Sequence, residues 1–196
     1  MAKLDKYNKK RDFKKTNEPK GVDKKGAKNI FVIQKHDASN LHYDLRLEID
    51  GVLKSWAVPK GPSTDPSEKR LALPTEDHPI DYADFEGVIP EENYGAGKVI
   101  VWDTGSFENT TEKDGKKIDS IQAIDSGHIT FKLTGKKLKG EYSLFRTNKG
   151  NNEKWLLVKM KDKYADARRN PISTEPESVL SDKTLDESWK EKSLWK

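Results

Sequence analysis

The stretch His36-Asp37-Ala38-Ser39-Asn40-Leu41-His42-Tyr43-Asp44-Leu45-Arg46-Leu47-Glu48-Ile49 constrains this chain more than any other. Successive side chains of a strand point to opposite faces. From Leu41 onward one face reads Leu41, Tyr43, Leu45, Leu47, Ile49, and the other reads His42, Asp44, Arg46, Glu48. The apolar face needs a core to cover it. The opposite face lines up an imidazole, two carboxylates and a guanidinium, and His36 adds a second imidazole just upstream. Two imidazoles and a carboxylate make a divalent-metal set. Arginine is the side chain best shaped to grip a phosphate through two parallel hydrogen bonds. Alternating polar residues also describe an ordinary solvated sheet face. The scarcity of histidine favours chemistry: of 4 in the chain, two fall in this stretch, and a third, His78, lies in another charged run.

Composition narrows the class. Hydrophobic residues are 33% of the 196 and charged residues 36%, so a small β core with charged ends is expected. The absence of cysteine excludes disulfides and thiolate metal sites. No apolar run is long enough to span a membrane, and no apolar segment of a secretory signal opens the chain. A cytoplasmic protein without a membrane partner is the expectation. Net charge is +4, and residues 1–28 hold eleven Lys or Arg against four Asp or Glu, leaving the remainder near −3. A basic arm on a near-neutral body suits a polyanion. A solvated, lysine-rich tail is the plain alternative.

In chain order, residues 30–34 read as a strand, followed by Leu41–Ile49. Asp50-Gly51 marks a two-residue hairpin, with Val52–Val58 as its return strand. Pro59-Lys60-Gly61-Pro62 reads as a rigid loop that would carry Lys60 over the site. Residues 69–75 form another strand, ended by Glu76-Asp77-His78-Pro79, because a residue before proline disfavours helix. Gly95-Ala96-Gly97 lacks the strand–helix setting of a nucleotide fingerprint and reads as a turn. Further strands are expected at 98–103, 127–133, 139–146 and 154–160, with a turn at Thr104-Gly105 and a polar loop with a short helix over 109–123. A short helix near 165–169 and a loose tail complete the chain. Many short strands and few helices predict a mainly β chain, an antiparallel β-barrel or sandwich. Inward positions of a barrel need not all be apolar, and one end can hold a polar crater. The expected division is a basic arm over 1–28, a barrel over 29–163, and a short helix with tail over 164–196.

Several motifs in order carry a resemblance. They are Arg11-Asp12-Phe13-x-x-Thr16-x-Glu18-Pro19, Phe31-Val32-Ile33-Gln34-x-His36, His42-x-Asp44-x-Arg46-x-Glu48 and Trp56-Ala57-Val58-Pro59-Lys60-Gly61-Pro62. Then come His78-Pro79-x-x-Tyr82-x-x-Phe85-Glu86-Gly87, Pro90-x-x-x-Tyr94-Gly95-Ala96-Gly97, Gly140-x-Tyr142-x-Leu144-x-Arg146 and Trp155-Leu156-Leu157-x-Lys159. From Tyr7 to Asp162 the chain resembles the 3′-phosphoesterase domain family of bacterial and archaeal DNA repair. That domain is often fused to the ATP-dependent DNA ligase D of non-homologous end joining. No ligase or polymerase motif accompanies it, so a stand-alone form is expected.

The resemblance implies a β-barrel with a polar crater holding a divalent metal, usually Mn²⁺, with Zn²⁺ or Co²⁺ as alternatives. It implies a hydrolase that removes a 3′-terminal ribonucleoside from a DNA primer-template and then the 3′-phosphate, leaving a 3′-hydroxyl. By motif position His36, His42 and Asp44 would be the ligands. Arg46 and His78 would contact the scissile phosphate, and His78 would alternatively donate a proton to the leaving oxygen. Tyr82 would bond a phosphate oxygen or orient His78; the alternative is a half-buried ring. Arg11, Asp12 and Glu18 match the arm motif, with the arm folding across the crater and Asp12 or Glu18 supporting the metal or its water. Glu76 would back the ligands. Lys60 and Arg70 are candidate strand contacts or ordinary solvated cations. His128 lies outside the motifs. Implied partners are DNA 3′ ends and a separate ATP-dependent ligase, polymerase and Ku, for a monomer working at the nucleoid.

Two other readings remain open at this point. His42-x-Asp44 with a distant histidine also fits the two-histidine, one-carboxylate triad of non-haem Fe(II) oxygenases, though Arg46, Lys60, Arg70 and the arm suit a phosphate polyanion better. A DNA-end-binding module with a vestigial cluster is the non-catalytic alternative.

Overall fold

A computed structural model of the chain describes residues 3–22 and 28–187. Strands β1 (Ile30–Asp37), β2 (Leu41–Ile49) and β3 (Val52–Val58) form a continuous antiparallel meander. Asp50 and Gly51 both take positive φ, 55° and 78°, the geometry an Asp-Gly pair favours in a two-residue hairpin. That turn sets the register, so Leu45 meets Trp56 and Arg46 meets Ser55.

The remaining strands are β4 (Lys69–Pro74), β5 (Gly87–Ile89), β6 (Gly97–Asn109), β7 (Glu112–Lys113), β8 (Lys116–Lys117), β9 (His128–Gly135), β10 (Lys139–Asn148) and β11 (Lys154–Lys159). Pairing runs β1-β2-β3-β4-β11-β10-β9-β6, and β6 pairs back onto β1. The result is a closed eight-stranded antiparallel barrel, which leaves no long edge to template aggregation. β5 lies along the part of β6 that β9 leaves uncovered, and β7 and β8 form a separate small hairpin.

The inward face of β2 fills the barrel with Tyr43, Leu45, Leu47 and Ile49, packed with Phe31, Trp56, Trp102, Phe131 and Trp155. Burying each such side chain contributes roughly 1.5–3 kcal/mol. A second apolar cluster lies on the outer side of the same wall. Val32, Leu53, Val99 and Val101 are covered there by Leu4 and Tyr7 of the arm and by Tyr82, Ala83 and Phe85 at the 3-10 helix Ile80–Asp84. The chain thus uses its scarce apolar residues in two cores that share one wall.

Four sequence expectations shift. Thr104-Gly105 is not a turn but lies inside β6. A Cβ at Gly105 would sit 2.1 Å from the Thr134 carbonyl oxygen, so this glycine serves close strand approach. The polar stretch after Asn109 forms the β7–β8 hairpin and helix α2 (Ser120–Ser126), capped by Asp119 and ended by Gly127 at φ 87°. With α1 (Asp5–Lys9) in the arm, the last short helix is α3 (Pro171–Thr174) rather than one over 165–169. Proline favours a first helical turn, which locates its start. The segment after it packs instead of hanging loose. Val179 and Leu185 are buried, Val179 N–H donates to Val101 O at 2.9 Å, and Trp102 Nε1–H donates to Glu175 O at 2.7 Å. Parts of the expected arm (1–2, 23–27) and tail (188–196) lie outside the described residues. Among the described residues no helix is long and apolar enough to cross a membrane.

Candidate metal and phosphate site

The antiparallel register of β1 and β2 builds the site. His36 pairs directly with His42, and Gln34 with Asp44. Directly opposite side chains on one face lie close enough to interact. His42, Asp44 and Arg46 then follow on that face by alternation. The face looks away from the barrel's apolar core, so the polar crater is set against the outer wall rather than among inward positions. Its cavity, of about 330 Å³, is lined by His36, His42, Asp44 and Arg46 from the wall, by Arg11 from the arm, and by Glu76, His78, Tyr82, Tyr94 and Gly95 from later segments.

One donor atom from each of His36, His42 and Asp44 lies within 4.8 Å of the others. His36 Nε2 is 2.8 Å from the Gly95 carbonyl oxygen and His42 Nδ1 is 2.9 Å from that of Asn40. A carbonyl only accepts, so these nitrogens carry the protons and leave His36 Nδ1 and His42 Nε2 with free lone pairs. Those two atoms stand 3.5 Å and 3.7 Å from Asp44 Oδ2. Two lone pairs and a carboxylate aimed at one point repel one another unless a proton or a cation sits among them. Carbonyl-oriented imidazoles are the arrangement metal-binding histidines use. The donor set therefore fits a divalent cation.

Arg46 is buried beside this set. Its Nε donates to Gln34 Oε1 at 2.8 Å, Nη1 to Ser55 Oγ at 2.9 Å and Nη2 to Asp44 Oδ2 at 3.2 Å. Burial alone would raise the Asp44 carboxyl, but the Arg46 guanidinium holds it well below the usual carboxylate range. Nη2 carries a second hydrogen, and Arg46 lines the cavity.

Arg11 makes the second cationic wall. Its Nε donates to Glu18 Oε1 at 2.8 Å, Nη1 to Glu76 Oε1 at 3.1 Å, and Nη2 lies 3.2 Å from His78 Nε2. Its guanidinium lies 3.7 Å from the centroid of the Tyr7 ring. His78 is wedged between the two guanidiniums. Its Nδ1 lies 2.8 Å from the Glu76 carbonyl and 2.9 Å from Arg46 Nη1, and its Nε2 lies 3.2 Å from Arg11 Nη2. With its proton on Nδ1 toward the Glu76 carbonyl, Nε2 accepts from Arg11, and the Arg46 contact at Nδ1 carries no hydrogen bond. Burial first, then Arg46 and Arg11, hold the His78 pKa well below its ordinary value. This neutral ring, bonded to the Glu76 carbonyl and to Arg11, is better made to hold Arg11 in place than to deliver a proton.

The other sequence candidates divide. Glu18 is buried and also accepts from Thr16 Oγ1 at 3.0 Å and from the Tyr82 hydroxyl at 3.0 Å. Tyr82 is a buried ring, and its hydroxyl ties the 3-10 helix to the arm; burial and then Glu18 push its pKa well up. Asp12 is exposed and caps a turn through Lys14 N–H at 3.1 Å, which leads the chain back to Glu18. Glu76 joins Arg11 to Lys10, whose Nζ is 3.0 Å away. Lys60 and Arg70 do not line the cavity. Arg70 sits in a separate depression, 2.6 Å from Glu68. His128 reaches Ser143 Oγ at 3.0 Å, away from the site. Gln34, Ser55 and the Gly95 carbonyl are site groups that the sequence reading did not single out. Gln34 stands two residues before His36, so alternation alone places it on the same face. Ser55 follows from the hairpin register.

The paired carboxylates give an acid-stability prediction. Burial would raise Glu76, but Lys10 and Arg11 lower it overall, and Asp44 is lowered as well. Carboxyls with depressed folded pKa values contribute stability that is full above about pH 4 and lost as pH falls through and below that range. Neutral His78 acts in the same direction, starting as pH falls below about 6.5, where the unfolded histidine takes up a proton. Urea midpoints measured in chelator should fall steadily from pH 7 to pH 3; a flat profile would contradict this electrostatic reading.

Comparison with known proteins gives these residues a family. The model of the DNA ligase D 3′-phosphoesterase domain matches residues 34–146, which takes in the whole candidate metal set. The chain belongs to this family. It is 51% identical over 188 residues to the multifunctional non-homologous end joining protein LigD of Pseudomonas aeruginosa, covering 93% of this chain and 22% of that protein. The LigD of Mycolicibacterium smegmatis is 48% identical over 163 residues, 82% of this chain and 21% of that protein. The Mycobacterium tuberculosis non-homologous end joining DNA repair protein LigD is 44% identical over 162 residues, 82% and 20% respectively. The chain thus spans about a fifth of the length of these LigD proteins. Family membership supports a hydrolase working in end processing.

Proposed function

We propose that this chain is a Mn²⁺-dependent 3′-end-processing hydrolase. It removes a 3′-terminal ribonucleoside from a DNA primer-template, then removes the remaining 3′-phosphate, and leaves a 3′-hydroxyl for joining. What carries the reading is the convergence of His36 Nδ1, His42 Nε2 and Asp44 beside a buried Arg46. His36, His42 and Asp44 would hold a divalent cation, and that cation would supply Lewis-acid chemistry at the phosphoryl group. Arg46 and Arg11 orient the phosphate and offset charge that builds on its oxygens, the main task in phosphoryl transfer. Gln34, Ser55 and His78 keep those donors fixed, so little reorganisation is needed during reaction. Glu18 and Glu76 hold Arg11 across the cavity, and Asp12, Lys60 and Arg70, which do not line it, take no direct part in bond breaking. The product is a substrate for an ATP-dependent ligase, so a ligase, a polymerase and Ku are the proposed partners, with a cytoplasmic, nucleoid-associated monomer as the working form.

The test is product analysis on a primer-template ending in one ribonucleotide, with Mn²⁺. The expected sequence is a 3′-phosphate product followed by a 3′-hydroxyl product. DNA binding without product at saturating Mn²⁺ would favour an end-binding module, and Fe²⁺-dependent turnover of 2-oxoglutarate would favour an oxygenase. His78 gives a second check. Because its ring is neutral and engaged on both nitrogens, His78→Ala should lower turnover by a similar factor from pH 6 to pH 9. A change in the shape of the pH profile would restore His78 as proton donor.

A further inference from the structure

Beside the metal cavity a wider groove opens, about 580 Å³ in volume. The two share Thr75, Glu76 and Tyr94 in their walls. The groove runs from Lys6 and Lys10 on the arm to the β10–β11 turn at residues 150–152 and to Lys154. Its acidic groups are already engaged. Glu76 binds Lys10 and Arg11, and Glu153 accepts from Trp155 Nε1 at 2.6 Å and lies 3.7 Å from Arg146. Lys6 and Lys154 are exposed and have no ion-pair partner among the described residues. Tyr94 stands at the junction of the two spaces, 51% exposed, with the Lys10 ammonium 4.0 Å from its ring centroid. The metal cavity is of a size for one terminal nucleotide, so a strand whose end lies there must leave through a neighbouring opening.

We propose that this groove is the track for the nucleic-acid strand whose 3′ end enters the metal cavity. Lys6 and Lys154 face the phosphates upstream of the terminus, and Tyr94 stacks the base next to the terminal nucleotide. Which end of the strand lies in the cavity rests on the phosphoesterase reading. The combination is one that binds a strand without reading its sequence: cations follow the backbone, and an aromatic face accepts any base.

The experiment is an anisotropy titration of the intact chain with a labelled primer-template bearing a 3′-hydroxyl, in chelator, at several salt concentrations. Lys6→Gln and Lys154→Gln should each lower the slope of log K against log salt by about 1. Tyr94→Ala should weaken binding roughly tenfold with the slope unchanged, and Tyr94→Phe should restore it. Lys132→Gln, exposed on β9 and lining neither space, should change nothing. Wild-type slopes in both lysine variants, or no DNA binding by the unaltered chain, overturn the track. Unchanged binding by Tyr94→Ala overturns the stacking role. A chain that binds as described yet forms no product with Mn²⁺ leaves the track standing and removes the phosphoesterase reading. A chain that forms product while every variant binds normally removes the track alone.

Discussion

Replacing Arg46 by alanine is expected to lower turnover by about 10²–10³-fold, the usual cost of losing a preorganised donor to developing charge. The same change should destabilise the fold. Asp44 is 7% exposed at its side chain and Arg46 is its nearest permanent cation, at 3.2 Å. Stranding a buried carboxylate costs about 3–5 kcal/mol. A cation at His36, His42 and Asp44 would offset that loss, so melting should show a larger deficit in chelator than in Mn²⁺. Arg46→Lys separates the two effects. A lysine keeps the charge near Asp44, but one ammonium cannot reach Gln34, Ser55 and Asp44 with the geometry of a guanidinium fork. Stability should largely return and turnover should not. Near-normal turnover in either variant would remove Arg46 from phosphate handling.

Arg11→Met is expected to have the second largest effect. Arg11 and Glu18 are 3% and 0% exposed at their side chains, and Glu76 is 4% exposed. One guanidinium thus bridges two buried acids and donates to His78. Its loss should cost about 3–5 kcal/mol, as for breaking a buried pair from one side. Turnover should fall too, because the arm-side wall of the cavity loses its charge and His78 loses the donor at Nε2. Adding Glu18→Gln to Arg11→Met should recover part of the stability, since the stranded charge disappears with it; coupling of neighbours in one network runs at about 0.5–3 kcal/mol. Strictly additive losses would mean that the pair does not act as a unit. Deleting residues 1–19 tests the arm as a whole. The barrel core does not use the arm, so a folded chain is expected, with Leu53 and Tyr82 uncovered and turnover lost. Full activity in that truncation would take the arm out of the mechanism.

Much of the fold was legible because local patterns determine it. The alternation over Leu41–Ile49 marks a two-faced strand, and Asp50-Gly51 fixes its partner's register, from which Arg46–Ser55 contact follows. The three candidate ligands were legible as residues, from the alternation over Leu41–Ile49 and the scarcity of histidine, but the expected strand over 30–34 stops short of His36; its run to Asp37, which sets His36 opposite His42, appears only in the structure. The motif resemblance sets the arm over the crater, but local pattern hides which groups it meets there. Arg11 meets Glu76 across 65 residues, and Tyr82 meets Glu18 across 64. Such contacts leave no period to read. The Gly95 carbonyl that orients His36 belongs to the backbone and has no side-chain signature. Lys60 and Arg70 have the right charge for a phosphate site, but only tertiary structure says which way a loop or an edge residue faces. Thr104-Gly105 misleads because glycine serves close strand approach as readily as a turn.

The most direct measurement is a Mn²⁺ titration of the purified chain followed by electron paramagnetic resonance, which needs no substrate. The account predicts one ion bound per chain, with the ion lost in Asp44→Asn and greatly weakened in His36→Ala and in His42→Ala. No binding by the unaltered chain, or undiminished binding in all three variants, would contradict it.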